Sequence, residues 1–139
     1  MNMRPLHARS VLSFVAFMLL GGCRSGLRCA TCGMKIDPIS PWVSYLTVSG
    51  KEEAFDTPTC ALTAWRKAPA SVTDARFREY YSQEWRDVKE LRFVRGSDVV
   101  GPMGPDRVPI NAGTAPRFAR DHNGAPPQTA EEIVRGDGP

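Results

Sequence analysis

Histidine, cysteine and methionine are scarce in this sequence, and their scarcity excludes several kinds of site. The chain has two histidines, four cysteines and five methionines among 139 residues. It contains no His-x-x-x-His pair and no second Cys-x-x-Cys, so the spacing does not indicate a structural zinc site. A nucleophile elbow, a phosphate loop and a dinucleotide-binding fingerprint are also missing. We therefore expect a protein that is not an enzyme.

The chain also lacks an apolar run long enough for a permanent transmembrane helix. The uncharged run "VLSFVAFMLL", Val11 to Leu20, would span only about 15 Å as a helix, half of a bilayer core. A short apolar run after Arg4 and Arg9 is typical of a secretory signal. The following "LGGC" resembles the bacterial lipobox, so we expect cleavage after residue 22 and lipidation of Cys23. The alternative is an ordinary signal peptide with a chance thiol.

An excess of charge of one sign is nearly absent once this leader is removed. Loss of Arg4 and Arg9 reduces the 18 basic side chains to 16, against 15 acidic ones, so nucleic-acid binding is not indicated. An exported protein enters an oxidising compartment, where thiols pair or bind metal. With Cys23 lipidated, three thiols remain, and an odd number does not fit a framework made only of disulfides.

Hydrophobic and turn patterns predict an α+β fold. The first half is predicted to form strands over 42–48 and 53–56, a Thr57-capped helix over 58–67, and a strand over 76–82. The second half has strands in "ELRFVRGS" and "RVPIN", and a helix in "TAPRFARDH" that ends before "NG". The aromatic residues predicted to be buried are Trp42, Tyr45, Phe55, Trp65, Phe77, Trp85, Phe93 and Phe118.

The two halves share an order of elements. Each has a Gly-Met loop, a short strand and a Pro-initiated helix, which predicts a small single domain of two ββαβ-like repeated units. We divide the chain into a lipoprotein signal peptide (1–22), a lipidated tether (23–28), a metal-binding domain (29–134) and a disordered tail (135–139).

The sulfur-rich stretch "CATCGM", Cys29 to Met34, is the main candidate for chemistry. Cys-x-x-Cys spacing allows a disulfide, a redox couple or two ligands to one metal. A thioredoxin-like redox motif needs a helix directly after it, and Gly33, Pro38 and Pro41 break any helix here. Met34 and Met103 both lie in loops bracketed by Gly or Pro, and thioether with thiolate suits Cu(I). Loop methionines packed against the core are the equal alternative.

Two further residues are weaker candidates. Cys60 lies in the first turn of the predicted helix, where the helix N-terminus lowers a thiol pKa and would favour ligation. Burial as a small apolar residue is the preferred interpretation. His122 stands at a predicted helix end, where capping is the preferred role and ligation the lesser one.

At this point the residues resemble a family. "CxxCGM", "FDTPTCAL", "FVRGSDVVGPMGPDRVPI" and "FARDHNGAPPQTAEEI" are similar to NosL, the accessory protein family of nitrous oxide reductase, from Cys29 to about Ile133. The resemblance implies an exported lipoprotein that binds one Cu(I) and aids copper-site assembly in that reductase. By motif, its sulfur ligands fall on Cys32, Met34 and Met103. Cys29 is an additional thiol here, and we include it among the candidate metal ligands.

The sequence therefore predicts a Cu(I) chaperone that is lipid-anchored to a bacterial membrane and faces the periplasm or cell exterior. Its partner would be nitrous oxide reductase or another periplasmic copper acceptor. The alternatives are an extracytoplasmic thiol-disulfide protein that uses Cys29 and Cys32, and a structural lipoprotein.

Lipidation gives the first testable prediction. Expressed in a bacterial host, Cys23→Ser should move the protein from the detergent phase to the soluble periplasm, because the acylated residue is lost. Phase partitioning measures this directly. Unchanged membrane partition would show that "LGGC" is not a lipobox.

Overall fold

The computed structural model describes residues 26–136. The predicted signal peptide, Cys23 and residues 137–139 of the predicted tail lie outside the described residues. Within the described range, no helix combines the length and the apolar character needed to cross a membrane. The architecture is a small α+β domain with antiparallel sheets and few helices, which confirms the predicted fold class.

The first half forms a four-stranded antiparallel sheet with one helix. Its elements are β1 (Ser44–Val48), β2 (Lys51–Phe55), α1 (Pro58–Lys67), β3 (Val72–Arg78) and β4 (Trp85–Asp87). The strand order is β2-β1-β3-β4. Thr57 caps α1 by accepting a hydrogen bond from the Cys60 N–H at 3.2 Å, and Pro58 occupies the first helical position. The predicted helix is therefore confirmed in its bounds and its cap.

The second half is smaller. Its elements are β5 (Leu91–Val94), β6 (Val100–Gly101), β7 (Gly104–Pro105), β8 (Val108–Asn111), α2 (Ala115–Asp121) and α3 (Ala130–Arg135). β5 pairs with β8, and β6 pairs with β7 in a separate short hairpin. On its other side, β5 is joined to Gln128 by a single bridge at Phe93. The second unit therefore keeps two strands and a helix, while its third strand is reduced to one bridge.

The two Gly-Met loops do not occupy equivalent places, so that part of the predicted repeat is wrong. The Met34 loop precedes β1, whereas Met103 lies between β6 and β7, in the long connection from β5 to β8. In the first unit the equivalent connection is the tight turn at Ser49 and Gly50, both with positive φ. Both loops contain glycine and methionine. In the second unit, however, they belong to a hairpin that is inserted between β5 and β8, so the second loop lies at a different point of the repeat.

One local prediction also differs from the structure. The strand predicted over 76–82 ends at Arg78, because the chain turns at Glu79, whose N–H donates to the Glu84 carbonyl at 2.9 Å. The segment "TAEEIV" forms α3. There Thr129 and Glu132 make a reciprocal capping box, which stabilises a helix this short.

The core consists of two clusters, a larger one built from residues of both halves and a smaller one around Phe118 in the second half. Phe55, Phe77, Phe93 and Phe118 are buried, as predicted. Trp85 is not, with 37% of its surface exposed, because it lies on the edge strand β4, where the Arg78 guanidinium covers its ring. The remaining three predicted core aromatics, Trp42, Tyr45 and Trp65, are half-buried.

Phe93 gives a stability prediction. Its ring packs edge-to-face on Phe77 with centroids 4.9 Å apart, and both residues are fully buried, so this pair joins β5 to β3. Phe93→Ala should lower the free energy of unfolding by about 3–5 kcal/mol, measured by urea denaturation of residues 23–139. Ile39→Ala, at a residue 82% exposed, is the control and should change it by less than about 0.5 kcal/mol. Equal effects would contradict this placement of the core.

Candidate metal centre

Three segments bring a cluster of thiols and one carboxylate together. Cys29 and Cys32 lie in a turn that is anchored to β2, because the Ala30 N–H donates to the Ala54 carbonyl at 2.9 Å. Asp56 directly follows β2, and Cys60 lies in the first turn of α1. The Thr31 hydroxyl donates to the Cys60 carbonyl at 2.9 Å, which joins the turn to the helix. The site is therefore assembled from one loop, one strand end and one helix N-terminus.

The four side chains form a compact ligand set. The Sγ atoms of Cys29, Cys32 and Cys60 and a carboxylate oxygen of Asp56 all lie within 4.8 Å of one another. All three thiols are free. Cys29 and Asp56 are buried, Cys60 is half-buried and Cys32 is exposed. The cluster could bind a metal ion, and Cys32 is its side chain nearest to solvent.

The turn that carries the first two thiols depends on Gly33. The Cys29 N–H donates to the Met34 carbonyl at 2.8 Å, and the Gly33 N–H donates back to the Cys29 carbonyl at 2.9 Å. Gly33 has a φ of 75°, which glycine adopts without strain. The Cys-x-x-Cys pair thus lies in a tight turn, and the next helix begins only at Pro58. This matches the expectation that no helix follows the motif.

Asp56 lies at the centre of the cluster. Its Oδ2 accepts a hydrogen bond from the Cys32 Sγ at 3.4 Å, whereas its buried Oδ1 has no hydrogen-bond partner among the described residues. Burial alone would raise the pKa of this carboxyl, but the thiols of Cys29, Cys60 and Cys32 outweigh it and lower the pKa. A buried carboxylate oxygen without a partner is costly unless a ligand satisfies it, so Oδ1 is available to a cation.

The same surroundings raise the pKa values of two of the thiols, Cys60 and Cys32. Burial, above all, and the neighbouring Asp56 carboxylate raise the pKa of Cys60 despite the hydrogen bond to Thr57. The lowering expected from the helix N-terminus is therefore wrong, because desolvation dominates. The pKa of Cys32 is likewise raised, by desolvation above all and also by the Cys29 thiol and Asp56. The hydrogen bond with the backbone of Met34 opposes this rise. A metal ion that binds here would displace the thiol protons.

The two candidate methionines lie on the surface. Met34 is 48% exposed and Met103 is 53% exposed. Met34 lines a cavity of about 120 Å³ together with Asp56 and Pro102, the residue before Met103. The structure therefore brings both methionine loops to a cavity that shares Asp56 with the thiol cluster.

Two residues of the cluster are not among the preferred ligand candidates. Cys60 packs against the core, in agreement with the preferred interpretation, and its half-buried sulfur also lies within 4.8 Å of the other two thiols. Asp56 was not singled out at all. The available signal was the spacing in "DTPTC", which places a carboxylate just before a helix cap and a thiol in the first turn.

His122 lies outside this cluster. It is the C-terminal cap residue of α2, its Nδ1 lies 2.8 Å from the Asp98 Oδ1, and its ring stacks on Phe118. These contacts agree with the preferred capping role.

Fold and cluster together define a small α+β domain with a thiol-rich site that could bind a metal ion. A sequence profile of the NosL family matches residues 23–135, and the chain belongs to this family. It is similar to the crystal structure of the copper chaperone NosL from Shewanella denitrificans, with a TM-score of 0.60. The two are 18% identical, and the match covers 88% of this chain and 92% of that one, so the likeness concerns the fold. No match was found among curated proteins.

Alkylation tests the electrostatics of the cluster. Iodoacetamide should modify exposed Cys32 before buried Cys29, and faster as pH rises, because the thiolate reacts. Asp56→Asn should accelerate modification of Cys32 several-fold at neutral pH, because it removes a carboxylate that raises this pKa. Peptide mass spectrometry measures both rates. Asp37→Asn, whose carboxylate accepts from the Ile39 N–H, is the control. A slower or unchanged rate in Asp56→Asn would contradict this account.

Proposed function

We propose that this protein is an extracytoplasmic Cu(I)-binding lipoprotein that acts as a copper chaperone, supplying copper for site assembly in nitrous oxide reductase. The observation that carries the proposal is the cluster of three free thiols within 4.8 Å of one another in a NosL family member. The fold's likeness to the copper chaperone from Shewanella denitrificans supports the same conclusion.

Ligand chemistry favours monovalent copper as the cargo. Thiolates and thioethers are soft ligands that suit Cu(I) and discriminate against magnesium and calcium. Cys32, Met34 and Met103 are the proposed ligands, with Cys29 as an additional thiol. Two observations support this set. The Cys32 Sγ donates to Asp56, and Met34 and Pro102, the residue before Met103, line a cavity with the same carboxylate.

Exposure of the ligands fits delivery rather than storage. Cys32, Met34 and Met103 are all exposed, whereas Cys29 is buried behind them. A thiolate or imidazole of an acceptor could therefore approach the metal from solvent while the buried thiol still holds it. The three exposed ligands could release copper without a change in the core.

Delivery is the preferred function over thiol-disulfide exchange. The first helix after Cys32 starts at Pro58, so the Cys-x-x-Cys pair does not itself open a helix, as the pair of a thioredoxin-like redox motif does. The pKa of Cys32 is raised, which is opposite to the lowered value of an active redox cysteine. We therefore propose no enzymatic turnover, and the protein should not reduce insulin disulfides.

A lipid anchor at Cys23 would hold the chaperone at a bacterial membrane, facing the periplasm or cell exterior. The formal charge of residues 23–139 is close to zero, so the approach of a partner depends on local contacts more than on long-range attraction. Membrane tethering would raise the local concentration of any membrane-bound copper donor.

Met103→Leu tests the copper site. Leucine has a similar volume but no sulfur, so the fold should persist while Cu(I) affinity falls by at least about tenfold, or 1.4 kcal/mol. Competition with a Cu(I) chelator under anaerobic reduction measures the affinity. Val100→Leu, on the same hairpin and 62% exposed, is the matched control and should keep wild-type affinity.

X-ray absorption of the copper-loaded protein completes this test. One Cu(I) with two or three sulfur scatterers is expected. Unaltered affinity in Met103→Leu would remove Met103 from the site, and scattering mainly from nitrogen or oxygen would contradict the sulfur ligand set and favour His122.

A further inference from the structure

The hairpin that carries Met103 has little to hold it in place by itself. β6 and β7 pair through only two residue pairs, Val100 with Pro105 and Gly101 with Gly104. Val100 and Met103 are 62% and 53% exposed, so burial of apolar side chains does not fix the hairpin. Something else must determine where the Met103 thioether lies relative to the thiols.

Asp106, the residue directly after this hairpin, is buried and makes a dense set of hydrogen bonds. Its Oδ1 accepts from the Thr59 N–H at 3.0 Å and from the Thr59 hydroxyl at 2.7 Å. It also accepts from the Arg107 N–H at 2.7 Å. Two of these three donors belong to the first turn of α1, next to Cys60.

These bonds are of a strong kind. A carboxylate that accepts backbone N–H groups at a helix N-terminus makes charge-assisted hydrogen bonds and is stabilised by the helix dipole. Thr57 already caps the Cys60 N–H, so Asp106 takes a second free N–H of the same turn, that of Thr59. The two caps fix the base of the Met103 hairpin and the Cys60 thiol to one rigid element.

Packing supports the same placement from the hairpin side. A Cβ added at Gly101 would lie 3.3 Å from the Asp106 Cβ and 3.5 Å from the Trp42 ring, so the hairpin backbone lies tightly between them. The absence of a side chain at Gly101 therefore lets the hairpin backbone pack closely against Asp106 and Trp42.

We propose that Asp106 is a positioning residue for copper binding, which holds the Met103 thioether at the thiol cluster by fixing its hairpin to the N-terminus of α1. The inference rests on the proposed function, with Met103 as a ligand. Asp106 acts through Met103 and does not touch the metal.

A double-mutant cycle tests this. Asp106→Ala should lower Cu(I) affinity by about 10- to 100-fold in chelator competition, as loss of an outer-shell partner does. If Asp106 acts through Met103, the same change should have no effect in a Met103→Leu background, because the thioether it positions is gone. X-ray absorption of copper-loaded Asp106→Ala should show one sulfur scatterer fewer than wild type. Additive losses in the cycle, or wild-type affinity in Asp106→Ala, would overturn the inference.

Conservative variants separate positioning from loss of fold. Asp106→Asn keeps an oxygen acceptor and should restore most of the affinity. Thr59→Val removes the hydroxyl donor but keeps the N–H, so we expect a smaller loss of Cu(I) affinity than in Asp106→Ala. In the Met103→Leu background, Thr59→Val should again have no effect. If Asp106→Ala proves unfolded by circular dichroism, the Thr59→Val cycle decides, and wild-type affinity there overturns the inference. Asp98→Ala, in the same β5–β8 connection and paired with His122, is the matched control and should bind copper normally.

The outcomes distinguish this inference from the function on which it rests. Normal Cu(I) affinity in Met103→Leu would remove Met103 from the site and overturn this inference, whereas a wild-type protein that fails to bind Cu(I) in the chelator competition would overturn the proposed function. Weakened affinity in Met103→Leu with normal affinity in Asp106→Ala would overturn the positioning role alone and leave the copper chaperone intact.

Discussion

The first turn of α1 has backbone N–H groups that no helical carbonyl can satisfy, and most of the site depends on how they are satisfied. Thr57 accepts from Cys60, and Asp106 accepts from Thr59. Because Asp106 belongs to the second unit, capping this helix also joins the two halves of the domain. Asp56 and Cys60 flank the cap, so the same turn sets the distance between the carboxylate and the thiols.

Asp56 links ligand binding to stability. Burial alone would raise the pKa of its carboxyl, but the thiols of Cys29, Cys60 and Cys32 lower it, so the folded state favours the carboxylate. Its Oδ1 has no hydrogen-bond partner among the described residues. A cation bound there would satisfy this oxygen and would add its binding free energy to the stability of the fold.

The sequence predicts those features that depend on near neighbours. Thr57 and Pro58 identify the start of α1, and Cys29-Ala-Thr-Cys32 indicates two thiols in one turn. Features that depend on tertiary pairing were missed. Cys60 joins the cluster only because Ala30 pairs with Ala54 and brings the turn to the helix. The prediction that the two Gly-Met loops occupy equivalent places is wrong, because the second loop belongs to a hairpin that the first repeat lacks.

The pairing of Ala30 with Ala54 has a consequence for association between molecules. β2 is an edge strand of the four-stranded sheet, and edge strands offer free backbone groups to other chains. The thiol-bearing turn occupies the Ala54 carbonyl and lies across this edge. Residues that gather metal ligands thus also shield the sheet from strand addition. A change that detaches this turn would expose a template for aggregation as well as dismantle the cluster.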